Sequence, residues 1–533
     1  MVLQTLAADS PTTRNNAGGR AYEMDARHAL AQIAATGTLG STFSVNSQRQ
    51  IDAVVSLAGQ VDAAYLAKLA VYARQRAAMK DMPAVLLTLL ASRDPVRASA
   101  VFDRVIVNGK MLRTFTEMVR SGRFGRRSFG SSLKRLAADW INRASVETLL
   151  AASIGSRPSF RDVLRLVRPK PASNERRALY GWLAGTDVAK WTPATPGDLP
   201  AAVRDLVAYR EATDPVSQAA IAERLNCRWD LLAGGALGRE TWAVLARKMG
   251  PQALRMNLNT LARHGLLTDA AIAEDVGSRL VDAEAIRRSG QFPYQFFAAY
   301  RNASPDVPAT LRSKLSQAAE IAAGTVAKLD LPVVIALDVS GSMQSPVTGY
   351  GHRHTSAMSC VDAAAVLAAV VMRAHPESII VPFDTRVHNV RTDPAEPILS
   401  LTQRLRHYGG GGTNCSLPLK FAREQYPSKR FGGCVLVSDN ESWVDSTGLN
   451  GYQWQTGLLR EWDRFARQQR SLAPSSQPKL VCIDVQPNWT LQAPDRRDIL
   501  NIGGYGESVF EVASAFLTGD NDRFVRAVES VEI

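Results

Sequence analysis

The pattern of apolar and polar positions changes once along the chain, near residue 330. From about residue 25 to 328 apolar side chains recur at helical spacing, as in residues 63–76, where they fall at i, i+3, i+4 and i+7. Glycine, proline and aspartate recur between such segments, and no fixed sequence period is visible. This part of the chain is therefore predicted to form paired antiparallel helices stacked as an irregular solenoid.

After residue 330 short apolar runs alternate with helical stretches. Runs typical of buried parallel strands lie at residues 331–337, 378–383, 434–437 and 480–485. Helical patterns between them include residues 356–374 and 453–469. The alternation predicts a doubly wound α/β domain with its site at the carboxyl ends of the strands. We therefore expect an extended leader at 1–24, a helical domain at 25–328 and an α/β domain at 329–533.

Oxygen-bearing side chains follow three of the predicted strands. The first strand runs into a D-x-S-x-S loop with Asp338, Ser340 and Ser342, and later strand ends supply Thr413, after the glycines 409–412, and Asp439. Hard oxygen ligands of this kind suit Mg²⁺, with Ca²⁺ and Mn²⁺ as alternatives. The glycine run lacks the Lys-Ser/Thr of a phosphate-binding G-x-x-x-x-G-K-[ST] loop, so we do not assign nucleotide binding to it.

Charge is concentrated in the helical part of this 533-residue chain. The formal net charge is +13, residues 1–330 hold 44 Lys and Arg against 29 Asp and Glu, and the remainder holds 19 against 21. Residues 101–177 alone hold 17 basic and 6 acidic residues. This density predicts a surface that binds a polyanion, although solvated helix faces can also be basic.

Targeting and cysteine patterns narrow the protein class. No run approaches about 18 apolar residues, and the first residues lack the order of a signal peptide, so we expect a cytoplasmic protein that does not enter a membrane. The five cysteines, Cys227 among them, never form a C-x-x-C pair. This argues against a disulfide framework and against a structural zinc site.

Two basic helices stand out in residues 101–177. On a helical wheel, residues 160–167 place their apolar side chains on one arc and Arg161, Arg165 and Arg168 on the opposite arc, with Lys170 beyond the helix-ending Pro169. The three guanidiniums lie about one helical turn apart, which is comparable with successive phosphates along a strand.

The second basic helix is predicted at residues 131–143, where it exposes Lys134 and Arg135. A glycine-rich segment with Arg126 and Arg127 precedes it, and its phenylalanines, Phe124 and Phe129, either stack on a base or pack in the core; packing is the favoured alternative. No zinc-finger, helix-turn-helix or homeodomain pattern supports reading of duplex DNA, so RNA bound by shape and backbone fits better.

The combination resembles a known family. The D-x-S-x-S, Thr413 and Asp439 set resembles the metal-ion-dependent adhesion site of a von Willebrand factor A domain. The chain as a whole resembles the Ro autoantigen, or TROVE-domain, proteins over nearly its whole length, in their bacterial branch. The other segments that carry this resemblance are the leader 14–22 and residues 67–74, 79–83, 162–171, 411–415 and 437–441.

The resemblance implies a closed ring of HEAT-like helices completed by the A domain. It also implies that Y RNA binds the basic outer surface, that misfolded non-coding RNA threads a single-stranded 3′ end through the hole, and that an exoribonuclease such as polynucleotide phosphorylase is a partner. The metal would keep one coordination place for an acidic group of a protein ligand. Two positions depart from the family: Arg168 stands where vertebrate members usually have histidine, and Asn414 replaces a common aspartate.

Two other classes of function remain open at this point. A metal-dependent protein-adhesion scaffold would use the A domain alone and bind RNA non-specifically. The other class is an enzyme, either a nuclease or a chelatase subunit. Against it, the sequence shows no H-E-x-x-H, no P-loop and no paired carboxylates in the helical half, and its histidines, such as His352 and His354, are scattered. Together with the ring that the family resemblance implies, this favours a non-catalytic RNA-binding ring protein, which we expect to be a monomer.

Overall fold

The structure is a computed structural model that describes most of the chain. The described residues are 11–15, 18–36, 47–77, 79–155, 158–185, 196–225, 229–232, 237–324, 328–347, 358–444, 456–486, 490–494, 496–518 and 524–533. Cys227, His352, His354, the first two residues of the predicted helix at 356–374 and part of the predicted leader lie outside these ranges.

The chain divides into two compact units. Unit 1 comprises residues 1–65, 286–302 and 315–532, and unit 2 comprises residues 66–285 and 303–314 together with Ile533, each as far as the structure describes them. Unit 1 therefore takes residues from both sides of the change in pattern near residue 330. The boundaries predicted from the sequence, at 24/25 and 328/329, stay a prediction.

Helices account for the regular structure described between residues 26 and 323. They are α1 (Ala26–Thr36), α2 (Ser47–Gln60), α3 (Ala63–Gln75), α4 (Met82–Arg93), α5 (Pro95–Val105), α6 (Gly109–Arg120), α7 (Ser131–Arg143), α8 (Val146–Ala152), α9 (Phe160–Val167), α10 (Asn174–Ala184), α11 (Ala201–Glu211), α12 (Pro215–Arg224), α13 (Trp229–Leu232), α14 (Arg239–Lys248), α15 (Pro251–Met256), α16 (Leu258–Arg263), α17 (Ala270–Leu280), α18 (Ala283–Ser289), α19 (Pro293–Asn302) and α20 (Ala309–Ala323). The helical prediction for this half of the chain is confirmed.

The helices of unit 2 pack in neighbouring pairs because their apolar faces require partners. Helix α4 is buried from Met82 to Ala91 and packs against α5 and α6. Asp94 caps α5 by accepting a hydrogen bond from the N–H of Arg97 at 2.9 Å, and the following proline lies in the first turn, where its missing N–H costs nothing. Helix α9 contacts α6, α7 and α10. None of the described helices is both long and apolar enough to cross a membrane.

The core of unit 1 is a parallel sheet of five strands. Their order is β4 (Ile379–Phe383), β3 (Val333–Asp338), β5 (Gly433–Ser438), β6 (Lys479–Asp484) and β8 (Ile499–Gly503). Four of these strands match the predicted apolar runs, and the doubly wound α/β fold is confirmed. The fifth, β8, was not predicted, because Asn501 interrupts its apolar run.

Helices cover the sheet of unit 1. They are α21 (Cys360–Ala374), α22 (Ile398–Leu405), α23 (Leu417–Gln425), α24 (Gly457–Leu472), α25 (Glu507–Thr518) and α26 (Phe524–Glu529). Helix α21 is buried along almost its entire length, which explains why its sequence is apolar on all sides rather than amphipathic.

The predicted leader forms part of unit 1 rather than a free extension. Strands β1 (Thr13–Arg14) and β2 (Arg20–Glu23) pair with each other, and β2 pairs with β7 (Thr490–Leu491), with Tyr22 opposite Leu491. Tyr22 and Met24 are buried in the same hydrophobic cluster as residues of β3, β5 and β6. The described leader residues are therefore extended, as predicted, but they are held by the α/β unit.

Candidate metal centre and nucleic-acid interface

Two predicted metal ligands lie at the carboxyl ends of adjacent strands. Asp338 ends β3 and is fully buried, and Asp439 follows β5 and is 3% exposed. Because β3 and β5 pair in parallel, both carboxyl groups reach the same edge of the sheet. The Asp338 carboxylate accepts hydrogen bonds from the N–H of Ser340 at 2.8 Å and from the hydroxyl of Ser438 at 2.5 Å.

The hydroxyl groups of the D-x-S-x-S loop converge beside these carboxylates. The Oγ atoms of Ser340 and Ser342 are 3.3 Å apart, and the Ser342 hydroxyl acts to lower the pKa of Asp439. The alternation of the loop thus directs both serines to one side, as the sequence predicts.

Thr413 is brought to this edge by the glycine run at 409–412. The N–H of Gly410 donates to the carbonyl of Val339 at 2.8 Å, and the N–H of Gly341 donates to the carbonyl of Gly411 at 2.9 Å. A Cβ atom on Gly409 would lie 2.2 Å from the Val339 carbonyl oxygen, and its φ of +82° is one that L side chains rarely adopt. The glycines therefore let the loop that carries Thr413 pack directly on the loop after β3.

The segment after Asp439 closes the same arrangement. Asn440 adopts a left-handed conformation, with φ of 62°, and its N–H donates to the Ser438 hydroxyl at 3.0 Å. Three and four residues further on, the N–H groups of Trp443 and Val444 donate to the carbonyl of Thr413 at 3.2 and 3.1 Å. The glycine loop that carries Thr413 is thus hydrogen-bonded through its backbone to both of the other loops that carry predicted ligands.

Electrostatics at this edge favour a bound cation. Burial, reinforced by the neighbouring carboxylate of Asp439, raises the pKa of Asp338 to about 7. The hydrogen bonds from Ser438 and Ser340 act in the opposite direction and lower this pKa, but burial outweighs them. Burial likewise raises the pKa of Asp439. Two buried carboxyl groups side by side repel each other when both are ionised, and a divalent cation between them would remove that repulsion.

The donor set fits such a cation. Asp439 Oδ1 is buried and has no hydrogen-bond partner among the described residues, although buried polar atoms are nearly always paired. Two carboxylates and the hydroxyls of Ser340, Ser342 and Thr413 supply the oxygen donors that Mg²⁺, Ca²⁺ and Mn²⁺ prefer.

Sequence reasoning missed two side chains that support the centre. Ser438 holds one oxygen of Asp338, and Asp384, which follows β4, accepts the N–H of Gly411 at 3.2 Å. Burial alone would raise the pKa of Asp384, but hydrogen bonds from the N–H groups of Arg386 and Gly411, together with the neighbouring His388 ring, whose Nε2 lies 3.1 Å from Asp384 Oδ1, lower it below its usual value. Asp384 directly follows an apolar run, so the signal that identified Asp338 and Asp439 could also have identified it.

The leader also supports the centre. The side chain of Asn15 donates from Nδ2 to the carbonyl of Ser442 at 2.7 Å, and its Oδ1 accepts the N–H of Gly19 at 2.7 Å. A Cβ atom on Gly19 would lie 2.1 Å from the Ser442 carbonyl oxygen, so only glycine permits this contact. The leader is thereby fixed to the segment that contacts Thr413.

In unit 2, the basic helix α9 has the predicted bounds and faces. Its apolar side chains Phe160, Val163, Leu164 and Val167 are buried, whereas Arg161, Arg165 and Arg168 are exposed. Ser159 and Asp162 form a capping box at its start, and Arg168 ends it in a left-handed conformation before Pro169. Arg165 donates to the carbonyl of Ala184 at 3.3 Å, and Arg168 donates to that of Arg165 at 3.2 Å.

The second basic helix, α7, also has the predicted bounds, and it contacts α9. Leu133, Ala137 and Trp140 are buried as predicted, Leu136 is half-buried, and Lys134 and Arg135 are exposed. The two basic helices are therefore neighbours whose apolar faces are covered.

The segment before α7 contributes less to a basic surface than its sequence suggests. Arg126 is half-buried and donates to the carbonyls of Ala91 at 2.8 Å and Ser128 at 3.2 Å, so it holds the segment against α4. Phe124 and Phe129 are 2% and 6% exposed, which selects core packing over base stacking. Arg127 is exposed.

The exposed cations of this surface carry no carboxylate partners. Within the described ranges, no ion pair involves Lys134, Arg135, Arg161, Arg165, Arg168 or Lys170, and all six are exposed. We call these six residues the basic face. A surface whose charges are not neutralised internally attracts polyanions over a longer range than one that is laced with ion pairs.

Known proteins resemble this chain both in sequence and in structure. Residues 332–459 match the family model of the Ro60 vWA domain. The chain is 26% identical to the RNA-binding protein RO60 of Deinococcus radiodurans, over 97% of each chain. The structure matches the crystal structure of the Deinococcus radiodurans Ro (RSR) protein with a TM-score of 0.66 and 21% identity, covering 93% of this chain and 100% of that one.

Proposed function

We propose that this chain, which resembles the Ro proteins in sequence and in structure, binds RNA through the basic face on α7 and α9 and has no catalytic function of its own. The observation that carries the proposal is the set of six exposed cations without carboxylate partners, within a segment where 17 basic residues stand against 6 acidic ones. Such a surface recognises phosphates, which dominate the affinity of proteins for nucleic acids. The name of the Deinococcus relative, an RNA-binding protein, supports the same reading.

The proposal extends to two kinds of RNA. Structured Y RNA would lie on the basic face, and the single-stranded 3′ end of a misfolded non-coding RNA would thread the hole of the ring that the family resemblance implies. An exoribonuclease such as polynucleotide phosphorylase would then be a partner in RNA quality control in the cytoplasm.

The proposal also includes a divalent ion, Mg²⁺ first, held by Asp338, Ser340, Ser342, Thr413 and Asp439. The buried and unpartnered Oδ1 of Asp439 and the all-oxygen donor set support it. The ion would supply an open coordination position for an acidic side chain of a protein ligand. Hydrogen bonds within this chain orient the residues that would hold the ion: Ser438 and the N–H of Ser340 fix Asp338, and the glycine loop presents Thr413.

Replacing Arg161, Arg165 and Arg168 by Gln tests the basic face. Each phosphate contact that is lost should flatten the slope of log K against log salt by about 0.7 for a single strand. The buried apolar face of α9 is untouched, so the fold should persist. Filter binding of a structured RNA at several salt concentrations measures the slope.

The matched control replaces Arg430, Arg467 and Arg470, which are exposed arginines of unit 1, by Gln. This variant removes the same charge from the whole protein and should keep the wild-type slope. If both triple variants flatten the slope equally, binding depends on net charge alone and the assignment to the basic face is wrong.

Threading makes a separate prediction, because a closed hole admits only a strand with an end. The full-length protein should bind a hairpin with a single-stranded 3′ tail more tightly than a circularised RNA of the same sequence. Competition between the two RNAs in a gel-shift assay measures the preference. Equal binding of the two RNAs would contradict threading. It would indicate that RNA binds only to the outer surface, as expected for a scaffold that binds RNA non-specifically.

A further inference from the structure

A cavity in unit 1 is lined by arginines that neither proposed site uses. Its volume is about 490 Å³, and its walls include Phe297 and Arg301 of α19 together with Ser400, Gln403, Arg404 and Arg406, which belong to α22 and the turn after it. Cavities that hold small molecules typically measure about 300–1,000 Å³. No carboxylate lines this cavity among the described residues.

A buried carboxylate behind the wall fixes two of the guanidinium groups. Asp362, at the start of α21, is fully buried and accepts hydrogen bonds from the N–H of Ser359 at 2.9 Å, from Arg301 Nη1 and from Arg406 Nε at 2.5 Å. Charge-assisted bonds to a buried anion hold both arginines in fixed positions. A guanidinium that is positioned in advance loses little conformational entropy when it binds a ligand.

Arg406 uses only part of its hydrogen-bonding capacity within the described part of the chain. Only its Nε is engaged, and its two terminal amino groups have no hydrogen-bond acceptor among the described residues, although its side chain is only 20% exposed. The neighbouring Arg404, in contrast, binds Glu396 through both Nε and Nη2, at 3.3 and 2.5 Å. Arg406 therefore presents the fork of N–H groups that matches two oxygens of an oxyanion.

Neutral donors complete the arrangement. The Gln403 side chain is exposed and has no hydrogen bond within the described part of the chain, so its amide can serve a ligand in the cavity. A phosphate monoester has three terminal oxygens and about two negative charges, and it needs more donors than a carboxylate does. The combination of fixed guanidiniums with an uncharged amide suits phosphate best.

We propose that this cavity binds a phosphate dianion, either inorganic phosphate or the terminal phosphate of a nucleotide. It is a site separate from the basic face, since its residues belong to unit 1 and those of the basic face belong to unit 2. It is also independent of the metal, because none of the five proposed metal ligands lines it.

Calorimetric titration of the full-length protein with 5′-AMP, inorganic phosphate and adenosine tests the proposal, with a chelator present to keep the metal centre silent. AMP and phosphate should bind with one-site saturation, and adenosine should not bind. Tighter binding of AMP identifies a nucleotide as the ligand, whereas equal binding identifies phosphate itself. Arg406→Gln should weaken binding about tenfold or more, as expected for the loss of charge-assisted hydrogen bonds.

A second variant keeps the test decisive should Arg406→Gln disturb Asp362. Gln403→Glu places a negative charge in the cavity without touching the buried ion pairs, and it should abolish binding by repulsion. Arg467→Gln, an exposed arginine of α24, is the matched control and should bind like the wild type. The proposal is overturned if AMP and phosphate show no saturable binding, if Gln403→Glu binds as well as the wild type, or if acetate competes as strongly as phosphate.

Discussion

Asp338→Ala is expected to abolish Mg²⁺ binding while leaving RNA affinity nearly unchanged. Asp338 supplies one of the two buried carboxylates of the candidate centre and is held by Ser340 and Ser438. Without it, one carboxylate and three hydroxyls remain, too little negative charge to dehydrate and hold a small divalent ion. The basic face lies in unit 2 and keeps its charge. Titration of Mg²⁺ and Mn²⁺ by calorimetry measures the loss.

The control for this variant is Asp330→Ala, an exposed aspartate shortly before β3, which should bind metal like the wild type. Thr413→Val removes a hydroxyl while it keeps both carboxylates and the side-chain volume, and it should weaken binding by about one order of magnitude. Equal metal affinities in wild type and Asp338→Ala would refute the assignment of the ligands.

Trp462→Ala is expected to cause the largest loss of stability in unit 1. Trp462 is fully buried in α24, its ring stacks on Phe465 at 5.8 Å between centroids, and its Nε1 donates to Asp498 at 2.9 Å. Removal of a buried tryptophan side chain costs about 3–5 kcal/mol of unfolding free energy through lost burial and the cavity left behind. Urea denaturation followed by circular dichroism measures the change.

Trp443→Ala provides the comparison for this stability test, because Trp443 belongs to the same unit but is 43% exposed. Its replacement should cost less than about 1 kcal/mol, as surface substitutions usually do. If both variants unfold at the same urea concentration, the core of unit 1 does not depend on the cluster around Trp462.

The resemblance to the Ro family and the local structure followed from short-range signals. The capping box at Ser159 and the break at Pro169 define α9 within its own ten residues, so its bounds and its basic and apolar faces could be predicted. The same holds for β3 and β5, whose apolar runs end at Asp338 and just before Asp439. Core packing of Phe124 and Phe129 was favoured from the sequence and then confirmed by their burial.

What the sequence could not supply depends on residues far apart in the chain. Asn15 binds the carbonyl of Ser442 across 427 positions, and Asp362 binds Arg301 across 61 and Arg406 across 44. In the sequence Asp362 indicates only the start of a helix. Its second role, as the anchor of two arginines, exists only once α19, α21 and the turn after α22 have packed together.

The sequence by itself determined which oxygen-bearing side chains stand at the strand ends, the helix faces and the position of the charge, because periodicity, caps and turn residues act over a few positions. The tertiary structure alone decided that the leader pairs with β7, that Asp384 supports the glycine loop, that Arg126 holds its own segment against α4 and that Arg406 donates to Asp362 through Nε. Each of these depends on which distant backbone or carboxylate lies within hydrogen-bond distance. Packing of whole elements sets that distance, and no local pattern encodes it.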